Sequence, residues 1–210
     1  MDTDDIRPFI LLAVVFLIIT GLGFIFNADL TGPEAEFSDW FSSCFSSGLM
    51  DSVSRAVDIA GGIPVVAGLS VLMMLFPRTR IIGTVCLLVS VIAWAADSFL
   101  LKLIVERPRP YDYFEADVVS NWSHYSYVSG HAVATSAFAA ALFAYSRKIS
   151  LVFFAYSFFV CIMRVYSLSH YLSDVVIGAV FGVCFALILA TAVERFSLRF
   201  WERVRPAEGS

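Results

Sequence analysis

The run VSGHAVATSAFAAALFAYS, residues 128–146, is the stretch on which the reading of the fold turns. Alanine stands at 132, 134, 137, 139, 140, 141 and 144, and no charge interrupts Ala132 to Ser146. Small residues let membrane helices approach closely, so this segment is expected at the centre of a helical bundle. Its beginning has a different character. Ser129, Gly130 and His131 stand at its mouth, and the chain holds just three histidines, His124, His131 and His170.

Working outward, five further apolar runs appear: Phe9 to Phe26; Ile59 to Phe76, broken by glycines and Pro64; Ile81 to Ala96, continuing past Asp97 to Leu101; Ile149 to Met163; and Val175 to Val193. About 20 apolar residues cross a bilayer core, and six spans are expected, the fifth only 15 residues long. Composition agrees. Hydrophobic residues make up 59% and charged residues 15%, against roughly 45–50% and ~25% in soluble domains, and mean hydropathy is +0.81. The 210 residues read as a single integral membrane domain, 1–210, all-α, a six-span transmembrane bundle. The first span has an acidic flank, MDTDDIRP, unlike a cleaved signal peptide, and is read as a retained anchor.

Nine of the 14 Lys and Arg fall in four segments that six spans place on one side: Arg7; Arg78 and Arg80; Arg147 and Lys148; and Arg195, Arg199, Arg203 and Arg205. The positive-inside rule makes that side, with both termini, cytoplasmic. Arg55, Lys102, Arg107, Arg109 and Arg164 lie opposite, against the bias. Two long segments, 27–58 and 103–128, share that outer side. In the first, Phe37, Trp40, Phe41, Cys44 and Phe45 recur at helical spacing, as in an amphipathic helix lying in the outer interface, either a lid on the bundle or a guide for a lipid. The four cysteines form neither a disulfide framework nor a metal-ligand spacing, and nothing in the sequence points to nucleic acid.

Three polar patches gather on the outer side: KLIVERPRP at 102–110, in which Pro108 and Pro110 are expected to stop a helix; SYVSGH at 126–131; and RVYSLSHYLSD at 164–174. Lys102, Arg109 and Arg164 are cations suited to phosphate, arginine as a planar fork and lysine as a point charge. Ser129 and Gly130 open a helix whose free N–H groups suit an anion. His170 and Asp174 are four apart and share a face if the last helix has begun. The carboxylate can then hold one imidazole nitrogen and leave the other to attack, with His131 as general acid. Each residue alone has an ordinary reading: an interfacial histidine, a snorkelling arginine, a capping aspartate. His124, among aromatics, is read as interfacial. Arg107 either adds charge beside a phosphate or braces its loop, and Asp97 either bonds a neighbouring helix or supports the site.

These patches resemble the type 2 phosphatidic acid phosphatase family, the membrane lipid phosphatase branch of the vanadium haloperoxidase superfamily. Its KxxxxxxRP is met by Lys102, Arg109 and Pro110; its PSGH reads VSGH, with Val128 for proline; its SRxxxxxHxxxD reads MRVYSLSHYLSD, with Met163 for serine. The resemblance implies a helical bundle whose site faces the periplasm or exterior. Lys102, Arg109, Ser129, Gly130 and Arg164 would bind phosphate, with His170 as nucleophile, Asp174 as its orienting partner and His131 as acid. No metal or cofactor is expected. The expected substrate is a lipid phosphate (an isoprenoid diphosphate, phosphatidic acid, phosphatidylglycerophosphate or a lipid A type), and the expected setting is a bacterial inner or plasma membrane. A lipid phosphotransferase using the same phosphohistidine, a haloperoxidase and a non-catalytic transporter are the alternatives.

Overall fold

The structure, a computed structural model, describes residues 3–114, 125–143 and 145–204. His124 lies outside these. The described residues are helical throughout, apart from turns and one isolated bridge between Pro108 and Tyr125. In chain order they are α1 (Thr3–Asp29), α2 (Thr31–Phe45), α3 (Gly48–Ala60), α4 (Ile63–Met74), α5 (Arg80–Ala96), a π-helical turn (Asp97–Leu101), α6 (Lys102–Val105), α7 (Pro110–Phe114), α8 (Gly130–Leu142), α9 (Arg147–Tyr166) and α10 (Leu172–Val204).

Four described segments are long and apolar enough to cross a membrane: Ile6–Asp29, Arg80–Val105, Arg147–Tyr166 and Leu172–Ala192. The pair α3 and α4, bent by 52° at Gly61–Gly62, makes a possible fifth. The chain is thus a multi-pass membrane protein, but the expected count of six is not met by length. The run expected from Ile59 to Phe76 is divided. Gly61 ends α3, and α4 restarts with Pro64 in its first turn, where a proline is tolerated. The run from Ala132 to Ser146 falls in α8, a helix of only 13 residues that begins at Gly130 and ends at Leu142. The fifth run, 15 residues in the sequence, belongs to a 20-residue helix. Its capping serine, Ser146, accepts from the Ile149 N–H and so draws Arg147 and Lys148 into the first turn.

Helix α8 occupies the centre, as its alanines predict: all its residues but His131 are buried. It packs on α10, α9 and α5. Two glycines of α10 make the closest approach. A Cβ at Gly182 would overlap Ser136 Oγ and the Val133 carbonyl oxygen, and one at Gly178 would lie 3.1 Å from the Ser129 carbonyl oxygen. Helix α1 joins through the Tyr127 hydroxyl, which donates to the Ile19 carbonyl at 2.7 Å, and through Asn27, which donates to the Val105 carbonyl at 3.1 Å.

The segment after α1 forms a helix where aromatic spacing predicts one. Thr31, Ala35 and Ser38 of α2 face inward, while Phe37, Trp40 and Phe45 remain partly exposed. Helix α3 is held by Met163, which packs with Val57 and Val160. The residue that replaces the family's serine therefore serves to seat a helix.

Candidate active site

The polar residues meet at one end of the bundle because each sits where a helix starts or stops. Helix α6 stops at Val105, where Glu106 turns left-handed (φ 50°) and its N–H returns to the Lys102 carbonyl. The helix therefore ends before either proline, and Pro110 opens α7 instead of stopping a helix. Lys102 is buried and donates to the Tyr125 carbonyl oxygen at 3.3 Å. Arg109 follows in the connecting loop, Ser129 precedes the first residue of α8, Arg164 lies in the last turn of α9, and Asp174 in the first turn of α10.

His170 is buried between α9 and α10, in the field of Arg109, Arg164, Lys102 and His131. Burial, and then those neighbours, hold its pKa well below the ordinary imidazole range. Its Nδ1 lies 2.8 Å from the Ser126 carbonyl oxygen. A carbonyl only accepts, so Nδ1 carries the proton and Nε2 keeps its lone pair. The expected direct bond to Asp174 is replaced: Nδ1 stands 3.9 Å from Asp174 Oδ2. The reason is local. Helix α10 begins at Leu172, so His170 precedes it and the four-residue spacing does not stack the two side chains. Ser126 bridges them, its hydroxyl donating to Asp174 Oδ2 and its carbonyl receiving the imidazole N–H.

Asp174 is wholly buried. Its Oδ2 also accepts from the Tyr171 N–H at 3.0 Å, and its Oδ1 from Arg107 Nη1 at 2.7 Å. Arg107, which had two readings in the sequence, is completely buried and binds Asp174, Glu34, Ser173 and Thr31. It is a brace.

His131 Nε2 lies 2.9 Å from the Asp58 carbonyl oxygen, and Asp58 Oδ1 pairs with Arg164. Asp97 accepts from the Val128 N–H at 3.1 Å, which fixes the loop entering α8. A π-turn of this kind often marks a functional site. A Cβ at Gly130 would lie 3.0 Å from Asp97 Oδ2 and 3.2 Å from the Trp94 ring, so the glycine lets these groups close together.

Three polar atoms of the expected phosphate-binding residues are buried without a hydrogen-bond partner: Arg109 Nε, Arg164 Nε and Ser129 Oγ. Ser129 caps α8 by position, yet its side chain makes no capping bond. Buried donors left unpaired are costly, so this cluster suits an incoming acceptor. Sequence reasoning missed Glu34, Asp58 and Ser126. Asp58 directly precedes the apolar run at Ile59, and Ser126 lies three residues before Ser129, but neither position carried a chemical signal by itself.

Beside the site runs an apolar cleft of about 660 Å3. Phe154, Phe158 and Val165 of α9 and Val176 and Val180 of α10 line it, and Phe37 and Phe41 of α2 reach over it. Its upper lining residues Val165 and Val175 are chain neighbours of Arg164 and Asp174.

No curated protein matches the sequence. The fold is similar to the crystal structure described as that of the first transmembrane PAP2 type phosphatidylglycerolphosphate phosphatase from Bacillus subtilis, with a TM-score of 0.63 and 19% identity over 97% of this chain and 100% of that one. Residues 65–197 match the PAP2 superfamily. That range contains Lys102, Arg109, Ser129, His131, Arg164, His170 and Asp174 and covers more than half of the chain, which therefore belongs to the PAP2 superfamily.

Proposed function

We propose that this chain is a lipid phosphate phosphatase that works through a phosphohistidine on His170. The observation that carries the reading is the set of buried, unpartnered donors on Arg109, Arg164 and Ser129 around a neutral imidazole. Lys102 adds charge, and the first N–H groups of α8 at Gly130 add a dipole. Together they balance a phosphate monoester, which carries about −1.5 to −2 charges.

In the first step His170 Nε2 attacks phosphorus in line. The bond from phosphorus to the leaving oxygen breaks, and that oxygen takes a proton from His131; burial and Arg164 push the pKa of this imidazole down to about 4 in the free protein, and the bound phosphate dianion counters both. The proton stays on Nδ1, which donates it to the Ser126 carbonyl, and the developing imidazolium charge faces the buried Asp174. In the second step water attacks the phosphohistidine, His131 accepts its proton, the P–N bond breaks and inorganic phosphate leaves. Fixed cations around the equatorial oxygens supply most of the stabilisation.

The apolar cleft beside the site supports an amphiphilic substrate, with its phosphate among the cations and its tail between α9 and α10. The distribution of basic residues supports a topology with both termini in the cytoplasm and the site on the periplasmic or outer face, which takes the α8 run as a sixth crossing.

The test is phosphate release by purified full-length protein in detergent with chelator present. The panel holds an isoprenoid diphosphate, phosphatidic acid and phosphatidylglycerophosphate. Wild type is expected to release phosphate and His170→Ala to release none while remaining folded. Wild-type rates in His170→Ala would overturn the mechanism, and product formation only with an added acceptor would replace hydrolysis by transfer.

A further inference from the structure

Glu34 has no place in the chemistry above, and it lies well before residue 65, where the family match begins. Yet its carboxylate binds Arg107 and Ser173, the neighbours of Asp174. Oε2 accepts from Arg107 Nη2 at 2.7 Å and from the Ser173 hydroxyl at 2.6 Å, and Oε1 accepts from the Ser173 N–H at 3.0 Å. It thus caps the first turn of α10, which carries Asp174, where an anion suits the helix dipole. It also holds the guanidinium that binds Asp174.

A guanidinium is one rigid plane. Arg107 Nε donates to Thr31 Oγ1 at 3.2 Å, Nη2 to Glu34, and Nη1 to Asp174 Oδ1 at 2.7 Å, while its carbon lies 4.0 Å above the Tyr171 ring centre. Fixing Nε and Nη2 from α2 fixes the direction in which Nη1 meets Asp174. From there the contacts run through the Ser126 hydroxyl to Asp174, and from the Ser126 carbonyl to His170 Nδ1. Only 17% of the Glu34 side chain is exposed and none of Arg107, so water screens the pair little.

We propose that Glu34 is a positioning residue for His170 and Asp174, acting through Arg107, so that the outer helix α2 is part of the catalytic apparatus. The proposal rests on the assignment of His170 as nucleophile. A simple tether has a different signature. Loosening α2 frees Phe37 and Phe41 from the cleft and raises KM for a lipid, whereas misalignment of Asp174 and His170 lowers kcat.

The experiment compares full-length wild type with Glu34→Gln, which keeps the side chain's shape, by kcat and KM for a hydrolysed lipid phosphate and by the 15N signals of His170. The expected result is a kcat loss of about 10–100-fold, the scale of a ~1 Å misplacement, with KM within about twofold and shifted His170 signals. Unchanged kcat, or a rise in KM alone, overturns the proposal. Should Glu34→Gln fail to fold, Thr31→Val removes one contact from the same guanidinium and is expected to lower kcat without raising KM; an unchanged kcat again overturns it. Should wild type hydrolyse no lipid, the proposed function fails, and the His170 signals still decide: a shift in Glu34→Gln supports the relay and identical signals refute it.

Discussion

The proton of His170 resides on Nδ1 because the atom 2.8 Å away is a carbonyl oxygen, which cannot donate. The free lone pair is therefore on Nε2, and burial with Arg109, Arg164, Lys102 and His131 nearby keeps it free by depressing the pKa well below 6.5. The direction has two consequences. A depressed pKa means that the Nε2 lone pair survives in acid. It also means that the unfolded chain takes up this proton at about pH 6.5 while the folded chain does not, so this group's contribution to stability is complete above that value and is lost as pH falls below it. The chain holds three histidines, so 15N spectra assigned with single substitutions can follow His170 directly in the free protein. The expected outcome is a neutral, Nδ1-protonated pattern persisting at pH 5.5, where an ordinary imidazole is mostly charged. A midpoint at or above 6.5 would contradict the site's electrostatics. That residues 102, 109, 129, 131, 164, 170 and 174 gather in one place was legible from the three polar patches that carry them. The hydrogen bond from His170 to Ser126 was not, because it depends on where α10 begins, and a shift of two residues decides whether His170 and Asp174 stack.

At the scale of helices, the seam between α8 and α10 sets how closely the N-terminus of α8 approaches Asp174. Ser129 N–H reaches the Asp174 carbonyl at 3.2 Å, which requires the two backbones to lie nearly in contact. Gly178 and Gly182 face Ser129, Val133 and Ser136 along that seam. Gly182→Ala places a methyl group against Ser136 and the Val133 carbonyl, and backbone atoms cannot rotate away. Overpacking of this kind costs about 1–3 kcal/mol. Gly182→Ala is expected to lower the melting temperature in detergent and to reduce turnover, while Gly21→Ala, whose added Cβ meets nothing within 4 Å, is expected to do neither. Equal melting of the two variants would contradict the seam. The central place of α8 was legible from its alanines, and the spacing of Gly178 and Gly182 held a matching signal on its partner. The span count was not legible in the same way. Apolar runs report which residues avoid water, but helix ends are set by Gly61, Pro64 and Ser146, and α8, at 13 residues, is shorter than the described helices long enough to span.

Over the whole molecule, a cluster of cations at one end adjoins a cleft of about 660 Å3 lined by apolar side chains of α9, α10 and α2. In a bilayer the tail of a lipid gains little by leaving other lipids, because tails are as apolar as the helices. On the proposed function the cleft would act by shape and direction: a tail lying between α9 and α10 would bring its phosphate toward Arg164 and His170 and help to hold it there. This separates two kinds of substrate. A short, soluble phosphate ester meets only the polar end, whereas a long-tailed lipid must also fit the cleft. Val180 lines the cleft and is half exposed, so Val180→Trp fills it without replacing any polar group of the site. Steady-state kinetics on both substrates make the test. For the lipid, KM is expected to rise roughly tenfold, equivalent to about 1.4 kcal/mol and within the range of overpacking; for the soluble ester, kcat/KM is expected to stay within about twofold of wild type. Equal losses on both would mean that the tryptophan disturbs the phosphate site itself. No loss on either would place the tail along another face of the bundle, leaving the helices that hold the cations with no part in choosing the lipid.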